Sequence, residues 1–263
     1  VKGWNVGDEV IAMVGHGGFR EQVIVSSMQI FKKPSSMDFT TASCFTLTYG
    51  TSHYALKDRA QLKEGETLLV LGAAGGVGIS AIEIGKALGA KVVAAASSDE
   101  KLAVCKEYGA DEVINYGGYD LTDKDQIKQF RSEIATTSGG KGPDVIYDPV
   151  GGNFTEPALR SIAWGGRFLV IGFASGPIPK IPLNLYLIKG CSAVGVFWGQ
   201  FTMLEPQNHL ANMEQLTKWH EEGKLKAPVT EVLPLEQAKE ALEMILDRKA
   251  KGKIALTTSF YKS

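Results

Sequence analysis

Apolar and polar positions change rhythm along these 263 residues, and each rhythm predicts an element. Residues 8–14 and 19–25 alternate on either side of a His16-Gly17-Gly18 turn and read as short strands. Over residues 39–56 the apolar positions fall at helical spacing, with Asp38 and Thr40 as candidate caps, and run up to the acidic turn Lys63-Glu64-Gly65-Glu66. From Thr67 the pattern becomes a regular alternation. An apolar run leads through a glycine-rich turn into a helical pattern at 78–88, which stops at Gly89, and a second continuous apolar run fills 91–96. Further strands are predicted at 113–114, 144–148, 167–171 and 193–197, with helices at 101–108, 126–136 and 154–163. Strand and helix in strict turn imply an α/β fold with a parallel, doubly wound sheet. Two helices at 208–222 and 235–248 and a strand at 253–257 close the chain.

The turn after Thr67 carries the chemistry. In Ala73-Ala74-Gly75-Gly76-Val77-Gly78, Gly75 lets backbone approach a pyrophosphate, Gly78 lets the following helix pack closely on the strand, and the helix N-terminus faces the phosphates. Ala73 stands where the usual G-x-G-x-x-G pattern has its first glycine. An ordinary tight turn is the plainer alternative in a chain with 30 glycines, but the strand before and the helix and second strand after it favour a dinucleotide site. NAD-preferring sites end their second strand in Asp or Glu, which binds the ribose hydroxyls. Here Ala96 holds that place, and Ser97, Ser98 and Lys101 offer hydroxyls and a cation to a 2′-phosphate, so the reading is NADPH. The simpler alternative makes the serines N-caps of a helix near Asp99 and Lys101 a solvated lysine. The Gly- and Pro-rich segment 172–182 follows the fifth strand, where such sheets line their ligand crevice.

Composition removes several other classes. A net charge of −1 without a basic run offers nothing to nucleic acid or an anionic membrane. No stretch approaches the ~20 apolar residues of a membrane span, and no signal peptide is visible. Cys44, Cys105 and Cys191 are odd in number and far apart, which suits a reducing compartment. The cytoplasm is expected; since the chain starts at Val1, a removed mitochondrial address is the alternative. His16, His53, His209 and His220 form no metal-ligand spacing, so no metal site is expected.

Several motifs in order give the chain a family resemblance: Val6-Gly7-Asp8-Glu9-Val10, the glycine turn, 109–116 from Gly109 to Tyr116, 144–152 from Asp144 to Gly152, and Gly165-Gly166-Arg167 leading to Ile171-Gly172-Phe173. From Trp4 to Leu256 it resembles the zinc-independent quinone oxidoreductase (zeta-crystallin-like) branch of the medium-chain dehydrogenase/reductase family, in which Ala at the position of Ala73 is usual. The resemblance implies a partial GroES-like β-barrel catalytic domain over 1–47, a Rossmann NADPH-binding domain over 48–198, and a segment over 199–263 that returns to the catalytic domain. It places Gly75, Gly76, Val77 and Gly78 on the pyrophosphate and Ser97, Lys101 and Tyr116 around the 2′-phosphate and adenosine. Thr51, Val150, Gly172, Phe173, Phe197 and Trp198 fall around the nicotinamide half, and Arg248 near a basic residue that reaches the cofactor. Composition alone reads the three aromatics as core or interface side chains.

Zinc-dependent relatives place a ligand cysteine four residues before the position of Thr51, where this chain has Leu47, and Cys44 reads as a small buried residue. The expected activity is hydride transfer from NADPH to a quinone or other conjugated carbonyl, with no general acid assigned. The partner is a small-molecule substrate, and a homodimer through the strand near residues 193–196 is expected. Family members carry several dozen residues before the equivalent of Trp4, so the chain resembles a truncated member. That leaves a non-catalytic NADPH-binding or structural protein as the alternative.

Overall fold

Strand β1 (Val10–Ala12) pairs antiparallel with β2 (Ile30–Lys32), Val10 opposite Lys32, in the computed structural model, which describes residues 2–260. The strand expected at 19–25 does not form. A period-two pattern becomes a strand only where a neighbour completes its hydrogen-bond ladder. Among the described residues none runs beside this stretch, and Phe19 and Ile24 stand 61% and 101% exposed. The chain instead folds into a short 3₁₀ turn, Ser27–Gln29, closed by a capping box from Ser26, before entering β2.

Helix α1 (Phe39–His53) begins where its cap predicts. The Asp38 carboxylate accepts the Thr41 amide at 2.6 Å and the Thr40 hydroxyl at 2.8 Å. Its end widens into a π-helical turn, Tyr54–Arg59, with the Ala60 amide reaching back to the Ala55 carbonyl at 2.8 Å.

The alternating segment follows. Strand β3 (Thr67–Leu71), α2 (Gly76–Ala87), β4 (Lys91–Ala96), α3 (Asp99–Glu107), β5 (Glu112–Asn115), α4 (Lys124–Thr137), β6 (Val145–Asp148), α5 (Thr155–Ser161), β7 (Arg167–Val170), α6 (Asn184–Lys189) and β8 (Ser192–Gly195) run in this order. They build a six-stranded parallel sheet ordered β5-β4-β3-β6-β7-β8. The order reverses between β3 and β6, the switch point at which doubly wound sheets bind ligands. Residues of β3 and β6 are buried throughout, as central parallel strands covered on both faces must be. Leu69, Leu71, Val93, Ile114, Phe130, Ile146, Leu159 and Phe168 form the core on one side.

The strand expected at 193–197 is too long: β8 stops at Gly195, and Trp198 already belongs to α7 (Trp198–Leu204), followed by α8 (Pro206–Glu221). Strand β9 (Val229–Pro234), α9 (Ala238–Leu246) and β10 (Lys253–Thr257) then form a parallel pair joined through a helix. The helix expected over 235–248 is shorter because residues 235–237 make a 3₁₀ turn and Arg248 takes a left-handed conformation, φ +58°. Contacts divide the molecule into two compact units. One comprises the residues up to Leu47 together with those from Ala227 onward, and the other is Thr48–Lys226, which holds the six-stranded sheet. No helix among the described residues is long and apolar enough to cross a membrane.

The sheet's two edges differ. At its amino edge the Arg167 guanidinium meets both carboxylate oxygens of Glu66, at 2.8 and 2.6 Å, and also donates to the Ala60 carbonyl. The Asp144 carboxylate accepts the Thr67 amide there at 2.8 Å. These pairs stitch that edge shut. Glycine-rich turns and loops leave the carboxyl edge, where the candidate residues gather.

Candidate dinucleotide site

The phosphate turn is built by two close approaches. Chain reversal at the end of β3 needs a left-handed residue, and Gly72 supplies it with φ +59°. Ala73 has no such duty: it is fully buried and its amide donates to the Ala95 carbonyl at 3.0 Å, which is why a methyl is accepted at the first position of the glycine pattern. Gly78 sits where α2 presses on the turn. A Cβ there would lie 2.5 Å from the Ala73 carbonyl oxygen and 2.6 Å from that of Gly72. Gly75 is the N-cap, without a side chain to cap the helix, so the first-turn amides of Gly76, Val77 and Gly78 point out of the helix end. Around Gly75 the space is open, Gly72 O at 3.4 Å being the nearest atom to a Cβ. An exposed, side-chain-free cradle at a helix N-terminus fits a pyrophosphate.

Parallel register brings the adenosine residues together. Ala96 ends β4 opposite Asn115 at the end of β5, and the Tyr116 amide donates to the Ala96 carbonyl at 3.0 Å. Ser97 is exposed just beyond, and its hydroxyl accepts from Lys101 Nζ at 3.2 Å. Ser98, not Ser97, is the helix cap: its Oγ accepts the Lys101 amide at 3.4 Å. Of the two serines, only Ser98 caps the helix. Tyr116 packs its ring against Phe154, centroids 4.6 Å apart. The nearby Asp99 carboxylate is taken by Asn115 Nδ2 at 2.7 Å.

The nicotinamide-half candidates leave neighbouring strands at the same edge. Val150 follows β6, Gly172 and Phe173 follow β7, and Phe197 follows β8, these strands being in register at Asp148, Val170 and Gly195. Val150 is seated on Gly72, with its Cγ2 2.7 Å from where a Cβ would stand. Phe173 is 39% exposed and Phe197 73% exposed, so neither ring is a core filler. Trp198 is one: only 6% exposed, it lies over Gly50, whose missing side chain leaves its place to the indole, and meets His209 edge-on at 5.5 Å. Thr51 is half-buried beside Gly50. Arg248 lies just past α9, in the other unit.

A chain of buried hydroxyls that the motif reading missed ties these walls together. Ser52 Oγ lies 2.8 Å from Tyr147 Oη and 2.8 Å from Ser80 Oγ, and donates to the Val77 carbonyl at 3.0 Å, while Ser80 reaches the Thr48 carbonyl at 3.1 Å. All three side chains are buried, and burial pushes the Tyr147 phenol far above its ordinary range, so it stays protonated. Only the side-chain periodicity of β6, with Tyr147 on one face and Asp148 on the other, hints at it in the sequence. A separate cleft of about 370 Å³ opens between Gly152, Asn153, Glu156, Arg160 and the 177–181 loop and contains none of the candidates. Among the described residues no cluster of three or more His, Cys, Asp or Glu could hold a metal.

The family model described as zinc-binding dehydrogenase matches residues 76–218. The chain is 37% identical over 255 residues to the quinone oxidoreductase-like protein 2 homolog of Nematostella vectensis, covering 96% of this chain and 67% of that protein. A quinone oxidoreductase of Pseudomonas syringae superposes with a TM-score of 0.84 at 31% identity, covering 96% of this chain and 75% of that one. A mycobacterial protein solved in complex with NADPH superposes with a TM-score of 0.87 at 27% identity, with 96% and 75% covered. With the glycine cradle, the switch-point sheet and this kinship agreeing, the chain belongs to the medium-chain dehydrogenase/reductase family of oxidoreductases, among its quinone oxidoreductase members.

Proposed function

We propose that the second unit binds NADPH and that the chain passes its hydride to a conjugated carbonyl, a quinone or an enal or enone, without zinc. One observation carries the cofactor choice. Past the buried Ala96, where an NAD site keeps a carboxylate, a hydroxyl (Ser97) and an ammonium (Lys101) meet instead, and the main chain of Tyr116 is bonded to the same strand end. The NADPH complex of the mycobacterial relative supports the same choice.

Bound NADPH supplies the reducing chemistry. The chain's own part is to hold the cofactor. First-turn amides of Gly76, Val77 and Gly78 take the pyrophosphate, and Ser97, Lys101 and Tyr116 take the adenosine end. Thr51, Val150, Gly172 and Phe173 frame the nicotinamide half. No side chain is assigned as an acid, and the acceptor takes its proton from solvent. Leu47, in place of a ligand cysteine, leaves zinc without a role.

Calorimetric titration with NADPH and NADH tests the reading. NADPH binds at least tenfold more tightly, and Lys101→Ala removes most of that difference, a charge-assisted hydrogen bond being worth about 1.5–3 kcal/mol. Equal affinities, or a Lys101→Ala variant indistinguishable from the wild type, would overturn it. Turnover of NADPH with 1,4-benzoquinone separates an enzyme from a cofactor-binding protein.

Two further readings accompany it. β8 is the outer strand of the sheet, and Leu183, Leu187, Ile188 and Trp164 are exposed on neighbouring elements, which supports a homodimer that continues the sheet across a two-fold axis. Three cysteines outside any disulfide suit a reducing compartment, the cytoplasm first.

A further inference from the structure

Asp148 ends β6 at the switch point with its side chain only 3% exposed, yet it is no part of the glycine cradle or the adenosine cluster. Its carboxylate is fully engaged. Oδ1 accepts the amides of Val150 at 2.8 Å and Gly151 at 2.9 Å, and Oδ2 accepts the Thr155 hydroxyl at 2.7 Å. Its main-chain carbonyl accepts the amides of Ile171 at 3.0 Å and Gly172 at 3.3 Å, from the loop after β7. The two loops are then laced to each other. Ala174 donates to Pro149 O at 3.0 Å, Ser175 to Val150 O at 2.9 Å, and Gly152 to Pro177 O at 3.2 Å. Gly151, held at φ +69°, presents a bare Cα to Phe173, whose Cδ1 lies 2.8 Å from where a Cβ would stand. One residue thus fixes both the seat of Val150 on Gly72 and the surface on which the Phe173 ring rests.

We propose that Asp148 is the positioning residue of the nicotinamide half of the site, holding the loops that carry Val150, Gly172 and Phe173 in mutual register. This rests on the NADPH reading above. A buried carboxylate is costly to keep, and burial outweighs its three donors in pushing this carboxyl up from its ordinary range. Yet what these bonds order is half-exposed loop. Phe173 is 39% exposed and Val150 only borders the core, so the order gained shows at the ligand more than in the packing.

The test compares Asp148→Ala, Asp148→Asn and Thr155→Val with the wild type, using NADPH, 2′,5′-ADP (which carries the adenosine end alone) and 1,4-benzoquinone turnover. In Asp148→Ala the Kd for NADPH rises about tenfold and kcat falls about tenfold, while the Kd for 2′,5′-ADP moves less than about twofold. Asp148→Asn, which keeps an acceptor for the two amides, recovers both to within about threefold. Thr155→Val, losing one bond of the set, weakens NADPH about threefold and spares 2′,5′-ADP. Should Asp148→Ala not fold, the other two variants decide. Equal losses for NADPH and 2′,5′-ADP, or no loss for either, overturn the proposal while leaving the NADPH reading in place. A wild type that binds neither ligand overturns the NADPH reading itself, and this inference with it.

Discussion

His53, at the end of α1, is fully buried beside Trp219, and neither ring nitrogen has a hydrogen-bond partner among the described residues. Burial, with the positive charge of Lys57 adding to it, lowers its pKa from 6.5 to about 3. The folded protein therefore keeps this imidazole neutral while the unfolded chain takes up a proton below pH 6.5. Its contribution is intact above pH 6.5 and is lost as the pH falls from there toward 3. At about 1.4 kcal/mol per pH unit, acidification to pH 5 costs about 2 kcal/mol through this one residue. Denaturant unfolding at pH 8 and pH 5 is expected to show a smaller acid loss in His53→Phe than in the wild type. Parallel losses would show that His53 is not the group responsible. Nothing in the sequence marks His53, because its burial depends on Trp219, 166 residues away in the chain. Lys101 and Ser97 were legible, since both lie within one helical turn of a strand end that the apolar run already located. Gly72 was not: the pattern points to the place of Ala73, and only the backbone shows the left-handed residue one step earlier.

Helix α2 and the turn before it allow a paired experiment on one element. A methyl at Gly78 would collide with two backbone carbonyl oxygens that cannot swing away, whereas a methyl at Gly75 would meet only ordinary contact distance. Gly78→Ala is expected to lower stability by about 1–3 kcal/mol, as overpacking does. Gly75→Ala leaves the melting temperature nearly unchanged but weakens NADPH at least tenfold by filling the cradle. Thermal melts with and without NADPH check both, and comparable melting in the two variants would refute the distinction. The elements readable from sequence are the continuous or long ones: β3, β4 and the four-turn α4 declare themselves by apolar runs or helical spacing. Helices α6 and α7, at six and seven residues, are too short for a 3.6-residue period to emerge. Strand β9 escaped because most of its residues are exposed, and β2 because three residues show no alternation.

At the scale of the whole molecule, the proposed dimer turns on the open side of β8. Ser192 and Val196 spend their amides on the β7 side, on Gly166 and Val170 carbonyls, so by alternation the amide of Ala193 faces outward. Ala193→Pro removes that donor without touching the β7 ladder. In analytical ultracentrifugation at micromolar concentration the wild type is expected to sediment as a dimer and Ala193→Pro as a monomer with unchanged NADPH affinity. A wild-type monomer would refute the pairing. The parallel sheet was readable from sequence rhythm, but the sheet order was not, because which strands lie side by side depends on where the crossovers turn back.

The buried hydroxyl chain through Ser52, Ser80 and Tyr147 has a bearing on motion. It bonds the helix that carries Thr51 to the first turn of α2 and to the middle of the sheet, so the wall bearing the phosphate cradle and the wall bearing Thr51 travel as one rigid body. On the opposite side, the 172–182 loop is bonded to the 149–152 loop backbone to backbone, so those two loops form a second connected wall.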